Sequence, residues 1–151
     1  MKASFSNSRK FKPVNISLLT VSDTRNETTD KSGLYLANSI NETGHNLVEK
    51  KIVKDELDLI KKYLQEWISD IKIEVIISTG GTGLTMRDVT VEAHREVYEK
   101  EISAFSTMFT MVSVDIIGTS AIQSRACAGV SNGTYLFALP GSTSACKDAW
   151  E

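Results

Sequence analysis

The chain is poor in cysteine, histidine and proline, with two of each among its 151 residues. Cys127 and Cys146 are nineteen positions apart and form no Cys-x-x-Cys pair, so we expect two reduced, packed thiols in a cytoplasmic protein. His45 and His94 occur in no recognisable Ser/His/Asp arrangement. Nucleophilic catalysis is therefore poorly supported, and each histidine is expected at the surface or on a helix face.

Long hydrophobic runs and a strong excess of charge are also lacking. No apolar stretch approaches the roughly 20 residues needed to cross a bilayer, and the first dozen residues hold no continuous hydrophobic segment. We therefore expect neither a membrane span nor a secretory signal. The formal net charge of −2 gives no reason to expect a nucleic-acid partner. Residues 1–13 are expected to form a flexible N-terminal arm, and residues 14–151 a single globular domain.

Strand-like and helix-like patterns alternate along this domain. Mostly apolar, β-forming runs occupy residues 14–21, 47–53, 73–78, 124–130 and 134–139. Helical spacing or helix start signals mark residues 34–41, 57–71, 91 onward, 102–112 and 144 onward. Asp55 and Thr90 stand where two N-caps belong, and Asn132-Gly133 predicts a β-hairpin. This order predicts a three-layer α/β/α sandwich with a mostly parallel sheet and an antiparallel hairpin near the C-terminus.

The strongest chemical signal lies in residues 78–88, which follow the apolar run Val75-Ile76-Ile77. Three glycines within four positions allow positive φ and let a ligand approach the main chain closely. A turn of exposed N–H groups after a strand can cradle phosphate, and Asp88 can hold the magnesium that accompanies nucleotide phosphates. The segment therefore predicts a phosphoryl- or nucleotidyl-transfer site.

Other polar segments follow predicted strand ends and can meet this loop in one crevice. In open α/β sheets, ligands bind beyond the carboxyl ends of the strands. The substrate-binding residues predicted there are Ser22, Asp23, Thr79, Gly80, Gly81, Thr82, Gly83, Pro140, Gly141 and Ser142. No P-loop is present, and Met86 occupies the last glycine position of a dinucleotide fingerprint, so an NAD site is poorly supported.

Several of these segments together resemble one known family. The motifs are residues 20–23 (Thr-Val-Ser-Asp), 30–33 (Asp-Lys-Ser-Gly), 78–83 (Ser-Thr-Gly-Gly-Thr-Gly), 87–90 (Arg-Asp-Val-Thr) and 119–129. They are similar to the MoaB/MogA family of molybdenum cofactor biosynthesis proteins, and residues 133–143 are similar to its MoaB branch. The resemblance covers residues 14–150. It implies the molybdopterin-binding domain fold, which is the three-layer architecture predicted above.

The resemblance also implies an activity. Active members are molybdopterin adenylyltransferases, which transfer AMP from MgATP to the terminal phosphate of molybdopterin and release pyrophosphate. The two required acidic positions fall on Asp55 and Asp88, which are expected to be catalytic and to bind Mg²⁺. Ser124 and Arg125 fall on the pterin-binding side. The family further implies a homotrimer or homohexamer that works with other cofactor biosynthesis proteins.

Alternatives remain open for the function and for single residues. The MoaB branch also has members without demonstrated turnover, so the chain is alternatively a non-catalytic molybdopterin- or nucleotide-binding protein, or an assembly partner. Taken alone, Asp55 is a helix cap, Asp88 a salt-bridge partner of Arg87, and Ser124 an ordinary strand residue. Arg125 alone is a partner for a carboxylate at a subunit interface.

The sequence departs from the family at two positions and at its end. Many relatives have proline where Met86 and Val91 stand. Val91 loses the preset φ of a proline at the start of a helix, and Met86 is expected to narrow the pocket. The chain ends at Trp150-Glu151, where relatives continue, so we expect either that a C-terminal tail is missing from the sequence or that the last helix is truncated.

Overall fold

The structure is a computed structural model that describes residues 10–151. Its strands are β1 (Asn15–Val21), β2 (Asn46–Val53), β3 (Val75–Thr79), β4 (Lys100–Glu101), β5 (Cys127–Ser131) and β6 (Thr134–Leu139). Its α-helices are α1 (Lys31–Glu42), α2 (Leu57–Ser69), α3 (Thr90–Val97), α4 (Ser103–Ile117) and α5 (Thr143–Trp150), with a 3₁₀ segment at Gly118–Gln123. Most of the predicted arm lies outside the described residues, and residues 10–13 belong to no helix or strand.

The six strands form one sheet in the order β2-β1-β3-β6-β5-β4. β1 pairs in parallel with β2 and β3, and β3 pairs in parallel with β6. β5 runs antiparallel to both β6 and β4. The β5–β6 turn places Asn132 and Gly133 at φ values of 48° and 77°, the left-handed pair that a two-residue hairpin needs. The predicted mostly parallel sheet with a C-terminal hairpin is confirmed.

Helices cover both faces of the sheet. On one face, Ile60 of α2 belongs to the same buried cluster as Leu19 of β1. On the other face, Ile40 of α1 and Cys146 of α5 cluster with Leu18 of β1. Leu18 and Leu19 are both fully buried and face opposite layers, as the alternation of side chains along a strand requires. The α/β/α sandwich is therefore confirmed.

A buried carboxylate sets the start of α1 three residues earlier than predicted. Asp30 caps the helix by accepting the N–H of Gly33 at 3.0 Å. Its other oxygen accepts the Thr20 hydroxyl at 2.7 Å and lies 3.2 Å from the Lys50 ammonium. Because these three partners satisfy the carboxylate, Asp30 tolerates nearly complete burial. Gly33 lies inside the helix rather than in the polar loop before it.

Two predicted helix caps are wrong. α2 has Glu56 at its N-cap position, so Asp55 lies one residue outside the helix. α3 begins at Thr90 itself, with Val89 at the N-cap and no side-chain capping bond. Ile71, predicted on the buried face of α2, follows the end of that helix and is 96% exposed. The short strand β4 had no sequence signal because two residues are too few for a period to show.

α4 and the 3₁₀ segment carry much exposed apolar surface. The helical stretch Ser103–Gln123 has a mean hydropathy of 1.4, and by length and composition alone it could cross a membrane. The expectation that no segment approaches such a length is therefore wrong, although one such helix is weak evidence for a span. We call the exposed residues Met108, Met111, Ile116 and Ile117 the apolar face of α4.

His94 lies on the buried face of α3. The sequence predicted it either at the surface or on a helix face, and the second of these is correct. Its ring nitrogens hydrogen-bond the Ser78 hydroxyl at 2.7 Å and the Tyr98 hydroxyl at 2.9 Å. Burial lowers the pKa of His94 to about 3, so the ring is neutral at physiological pH. The contact joins α3 to the end of β3, just before the glycine loop.

We expect Gly33→Ala to reduce the free energy of unfolding by about 2 kcal/mol, despite the better helix propensity of alanine. A Cβ at this position would lie 2.0 Å from Asp30 Oδ2 and 2.6 Å from Thr20 Oγ1, so the buried carboxylate would have to move. Urea unfolding measures the change. Asn38→Ala, at an exposed position of α1, is the control, and an equal effect of the two substitutions would contradict the steric argument.

Candidate functional site

A pocket of about 480 Å³ opens beyond the carboxyl ends of β1, β3 and β6. Its lining includes most of the residues predicted from sequence: Ser22, Asp55, Gly80, Gly81, Thr82, Gly83, Asp88, Ser124, Pro140, Gly141 and Ser142. They come from several separate segments of the chain. The predicted convergence of strand-end loops on one crevice therefore occurs.

Three predicted site residues, Thr79, Asp23 and Arg125, do not line this pocket. Thr79 is fully buried, and its hydroxyl donates to the carbonyl oxygen of Pro140 at 3.0 Å. Thr79 was predicted to bind substrate, but its side chain points into the core at the end of β3, so its hydroxyl does not face the pocket. Asp23 and Arg125 contact the lining residues from outside the pocket.

Close packing explains the glycines of the loop. A Cβ on Gly80, whose φ is 97°, would lie 2.2 Å from the carbonyl oxygen of Val21. A Cβ on Gly81, whose φ is 66°, would lie 2.3 Å from Thr90 Oγ1 and 2.7 Å from Asp55 Oδ1. Both the positive φ and the lack of room for a Cβ atom require glycine at these two positions.

The N–H groups of the loop are not all available to a ligand. Gly80 donates its N–H to the carbonyl of Leu139 at 3.0 Å, and the N–H of Gly83 helps to lower the pKa of the nearby Asp88 carboxyl. Within residues 10–151, the N–H groups of Gly81 and Thr82 have no protein acceptor. Within the predicted phosphate cradle, the N–H groups of Gly81 and Thr82 are therefore the two left to donate to a phosphate.

Asp55 and Asp88 bring their carboxylates to the same glycine loop. Burial, followed by the negative charges of Asp23 and Asp88, raises the pKa of Asp55 above its ordinary value. Burial also acts to raise the pKa of Asp88, but hydrogen bonds from the hydroxyl and N–H of Thr85 outweigh it and lower that pKa. The two carboxylates together make this the acidic part of the pocket.

This donor set fits Mg²⁺. Carboxylate oxygens are hard ligands, and magnesium usually needs one or two of them together with waters and substrate phosphates. The described residues contain no group of three or more His, Cys, Asp or Glu side chains placed to hold a metal ion. The two aspartates would therefore share the ion with a phosphate ligand rather than enclose it.

Two arginines that lie outside the pocket lining stabilise the glycine loop and its flanks. Arg87 forms a two-pronged ion pair with Asp23 at 2.9 and 3.0 Å, rather than pairing with the neighbouring Asp88. Arg125 donates to the carbonyl oxygens of Thr82 at 2.9 Å and Gly83 at 3.1 Å. Arg125 also pairs with a carboxylate, as the alternative interpretation of it predicted, but that carboxylate is Glu92 of the same chain.

Sequence reasoning missed Arg25, which also lines the pocket. Its guanidinium donates to the carbonyl oxygen of Gly141 at 2.7 Å and to the Ser32 hydroxyl at 2.8 Å. The hydroxyl of Ser22 accepts the N–H of Arg25 at 3.1 Å, which fixes the turn after β1. A cation four positions past a strand end was the available signal. Met86 is 98% exposed and lines no part of the pocket, so the expected narrowing is wrong.

The sequence is similar to known proteins over nearly its whole length. Residues 17–151 match the family described as "Probable molybdopterin binding domain". Molybdenum cofactor biosynthesis protein B of Escherichia coli K12 is 46% identical over 144 residues, which cover 95% of this chain and 85% of that protein. A protein of Methanocaldococcus jannaschii named "Probable molybdopterin adenylyltransferase" is 36% identical, over 93% of this chain and 88% of that protein.

The fold is equally similar to solved structures. A crystal structure of molybdenum cofactor biosynthesis protein B superposes with a TM-score of 0.90 at 39% identity, covering 93% of this chain and 88% of that one. The tungsten cofactor synthesizing protein MoaB from Pyrococcus furiosus gives a TM-score of 0.83 at 32% identity, with coverage of 93% and 90%. With the family match, these similarities show that the chain belongs to the MoaB/MogA family of molybdenum cofactor biosynthesis proteins, in the MoaB branch.

Proposed function

We propose that the protein is a molybdopterin adenylyltransferase, which transfers AMP from MgATP to the terminal phosphate of molybdopterin and releases pyrophosphate. The observation that carries the proposal is the convergence of Asp55 and Asp88, from separate segments, on one glycine-lined pocket. The printed name of the Methanocaldococcus jannaschii relative supports the same reaction. Membership of a molybdenum cofactor biosynthesis family supports the pathway.

The reaction requires that the two substrates be positioned and their phosphate charges neutralised, and it does not require a protein nucleophile. The attacking atom is a phosphate oxygen, which is already anionic and needs little help from a general base. The pocket provides no histidine for that role, since His94 is fully buried beside Ser78. Its polar groups are suited instead to holding two phosphate-bearing molecules in line.

Each side of the pocket has a task in this reaction. When bound, Mg²⁺ neutralises charge on the nucleotide phosphates and on the departing pyrophosphate. Asp55 and Asp88 would hold the metal ion, and the N–H groups of Gly81 and Thr82 would donate to phosphate oxygens. Ser124 and Ser142 lie on the rim of the same pocket and can contact the pterin substrate.

An assay with molybdopterin, Mg²⁺ and α-labelled ATP tests the proposal. We expect an AMP–pterin product and an equal amount of pyrophosphate. Asp88→Asn should reduce the rate by at least about 100-fold, because the amide cannot balance a metal ion. Glu66→Gln, on the exposed surface of α2, removes the same charge away from the pocket and should leave the rate unchanged.

The same assay separates the alternatives. Tight binding of molybdopterin or nucleotide without product would favour the non-catalytic binding protein. Absence of both binding and turnover would leave the assembly partner. A rate in Asp88→Asn equal to that of the unchanged protein would refute the role of the aspartate pair.

Asp55→Asn is expected to abolish transfer and yet to stabilise the fold by about 0.5 kcal/mol at pH 7, after discounting for solvent screening. The pKa of Asp55 is raised in the folded protein, so the group binds protons more readily when folded. Its contribution to stability therefore falls as pH rises through that raised pKa. Thermal unfolding at pH 7 and pH 4 should show the gain shrinking at the lower pH. Glu66→Gln should show no such gain, and destabilisation by Asp55→Asn at pH 7 would contradict the argument.

We also propose that the protein is a homotrimer or homohexamer, acts in the cytoplasm and works beside other molybdenum cofactor biosynthesis proteins. The apolar face of α4 supports self-association, because exposed apolar patches of this kind mark contact surfaces. Light scattering should give about three or six times the 16.6 kDa of one chain. Met111→Glu should lower that mass, whereas a mass of 16.6 kDa for the unchanged protein would refute the assembly.

A further inference from the structure

Arg25 differs from the other arginines of residues 10–151 in its ion pairing. The other three each have a carboxylate partner within 3.0 Å, in the pairs Arg87–Asp23, Arg95–Glu101 and Arg125–Glu92. The guanidinium of Arg25 lies 4.0 Å from one carboxylate, that of Asp30. Asp30 is matched more closely by Lys50, whose ammonium lies at 3.2 Å. Most of the positive charge of Arg25 is therefore left without a partner in the described chain.

The position of Arg25 is nevertheless fixed. Its two short hydrogen bonds go to neutral oxygens, the carbonyl of Gly141 and the hydroxyl of Ser32, at 2.7 and 2.8 Å. A guanidinium has five N–H donors, so further donors remain for a ligand. With 30% of the side chain exposed, the group is partly desolvated, which strengthens an ionic contact with a ligand.

The surroundings of this guanidinium suit an anion. A Cβ on Gly141 would lie 3.5 and 3.7 Å from the two terminal nitrogens of Arg25 and 3.2 Å from Gly80 Cα. α5 begins directly after this point, and the N–H groups of Thr143 and Ser144 have no acceptor among residues 10–151. A helix N-terminus adds partial positive charge to that of the arginine. Among the described residues, the acidic side chains that line the pocket are Asp55 and Asp88, which adjoin Gly81 and Gly83 rather than Gly141.

The two sides of the pocket therefore differ in charge and are divided by the glycine loop. Gly81 and Gly83 approach Asp55 and Asp88, whereas Gly80 approaches Gly141 next to Arg25. Phosphates of the nucleotide are matched by the metal ion that the aspartates would hold. A phosphate that arrives without a metal needs a cation supplied by the protein.

We propose that Arg25 and the N-terminus of α5 form an anion subsite that binds the phosphate monoester of the second substrate, apart from the metal–nucleotide side at Asp55 and Asp88. Naming that monoester as molybdopterin rests on the proposed function, but the existence of the anion subsite does not. Arg25 would hold the attacking phosphate beside the glycine loop and offset its charge as it approaches the nucleotide.

Binding of phenyl phosphate without metal, in EDTA, tests the subsite independently of catalysis. Titration calorimetry or NMR of the arginine Nε–H signals should detect binding of phenyl phosphate and much weaker binding of phenol. Arg25→Gln should weaken phenyl phosphate binding roughly 10- to 100-fold, as expected for a charged hydrogen bond. Arg25→Lys should restore part of the affinity, because it keeps the charge without the fork. Arg95→Gln, which removes an exposed arginine of α3, should bind like the unchanged protein.

A second ligand distinguishes the source of the phosphate. The magnesium complex of a non-hydrolysable α,β-methylene ATP analogue should bind to Arg25→Gln within about threefold of its normal affinity, because the metal matches its charge. Stronger loss for this complex than for phenyl phosphate would reassign Arg25 to the nucleotide and overturn the proposal.

Two further outcomes would also overturn the subsite. One is equal binding of phenyl phosphate to the unchanged protein and to Arg25→Gln. The other is loss of both ligands together with a lowered melting temperature, which would show a purely structural role. If Arg25-dependent binding is found but no AMP–pterin product forms, the subsite stands and the proposed transferase activity fails.

Discussion

The pocket depends on how closely three strand ends meet at Gly80. The N–H of Gly80 donates to Leu139 at the end of β6. Its α-carbon lies so near the carbonyl of Val21, at the end of β1, that a Cβ would come within 2.2 Å. Any side chain here would push β1 away from β3 and open the sheet at its functional edge. Because the approach is so close, the loops after all three strands share one pocket.

That geometry places opposite charges at short range without letting them cancel. The ion pairs Arg87–Asp23 and Arg125–Glu92 are formed outside the pocket lining, where they hold the backbone of the glycine loop and its flanks. Inside it, Asp55 and Asp88 adjoin Gly81 and Gly83, whereas Arg25 adjoins Gly141. A site that joins two polyanions needs both signs of charge in this separated form, one to hold a metal ion and one to hold a phosphate directly. Burial, together with the negative charges of Asp23 and Asp88, raises the pKa of Asp55, so part of the stability of the fold is given up at the site.

Much of this arrangement could be predicted from the sequence, and the misses have physical causes. Buried parallel strands such as β1 and β3 are predicted by their apolar runs, and the hairpin turn is predicted by Asn132-Gly133. Strand-end loops were located correctly for the same reason.

The direction in which a side chain points was harder to predict. Thr79 ends a strand and faces the core, whereas Thr82, three residues later, lines the pocket. Arg25 was missed because its importance lies in having no carboxylate closer than 4.0 Å among the described residues, and such distances between segments cannot be deduced from the sequence. The capping role assigned to Asp55 failed because one residue decides a cap, while helical spacing fixes a start only to within a few residues.

The two cysteines bear on the sulfur chemistry of the expected substrate. Cys127 and Cys146 are both fully buried, and burial raises the pKa of the Cys146 thiol to about 11. Cys146 Sγ lies 3.2 Å from the Thr79 hydroxyl, directly behind the wall of the pocket. Molybdopterin carries a dithiolene, and under oxidising conditions such sulfurs form mixed disulfides with exposed thiols. With its own sulfur atoms protonated and shielded, the protein can handle such a molecule without becoming trapped as a mixed disulfide.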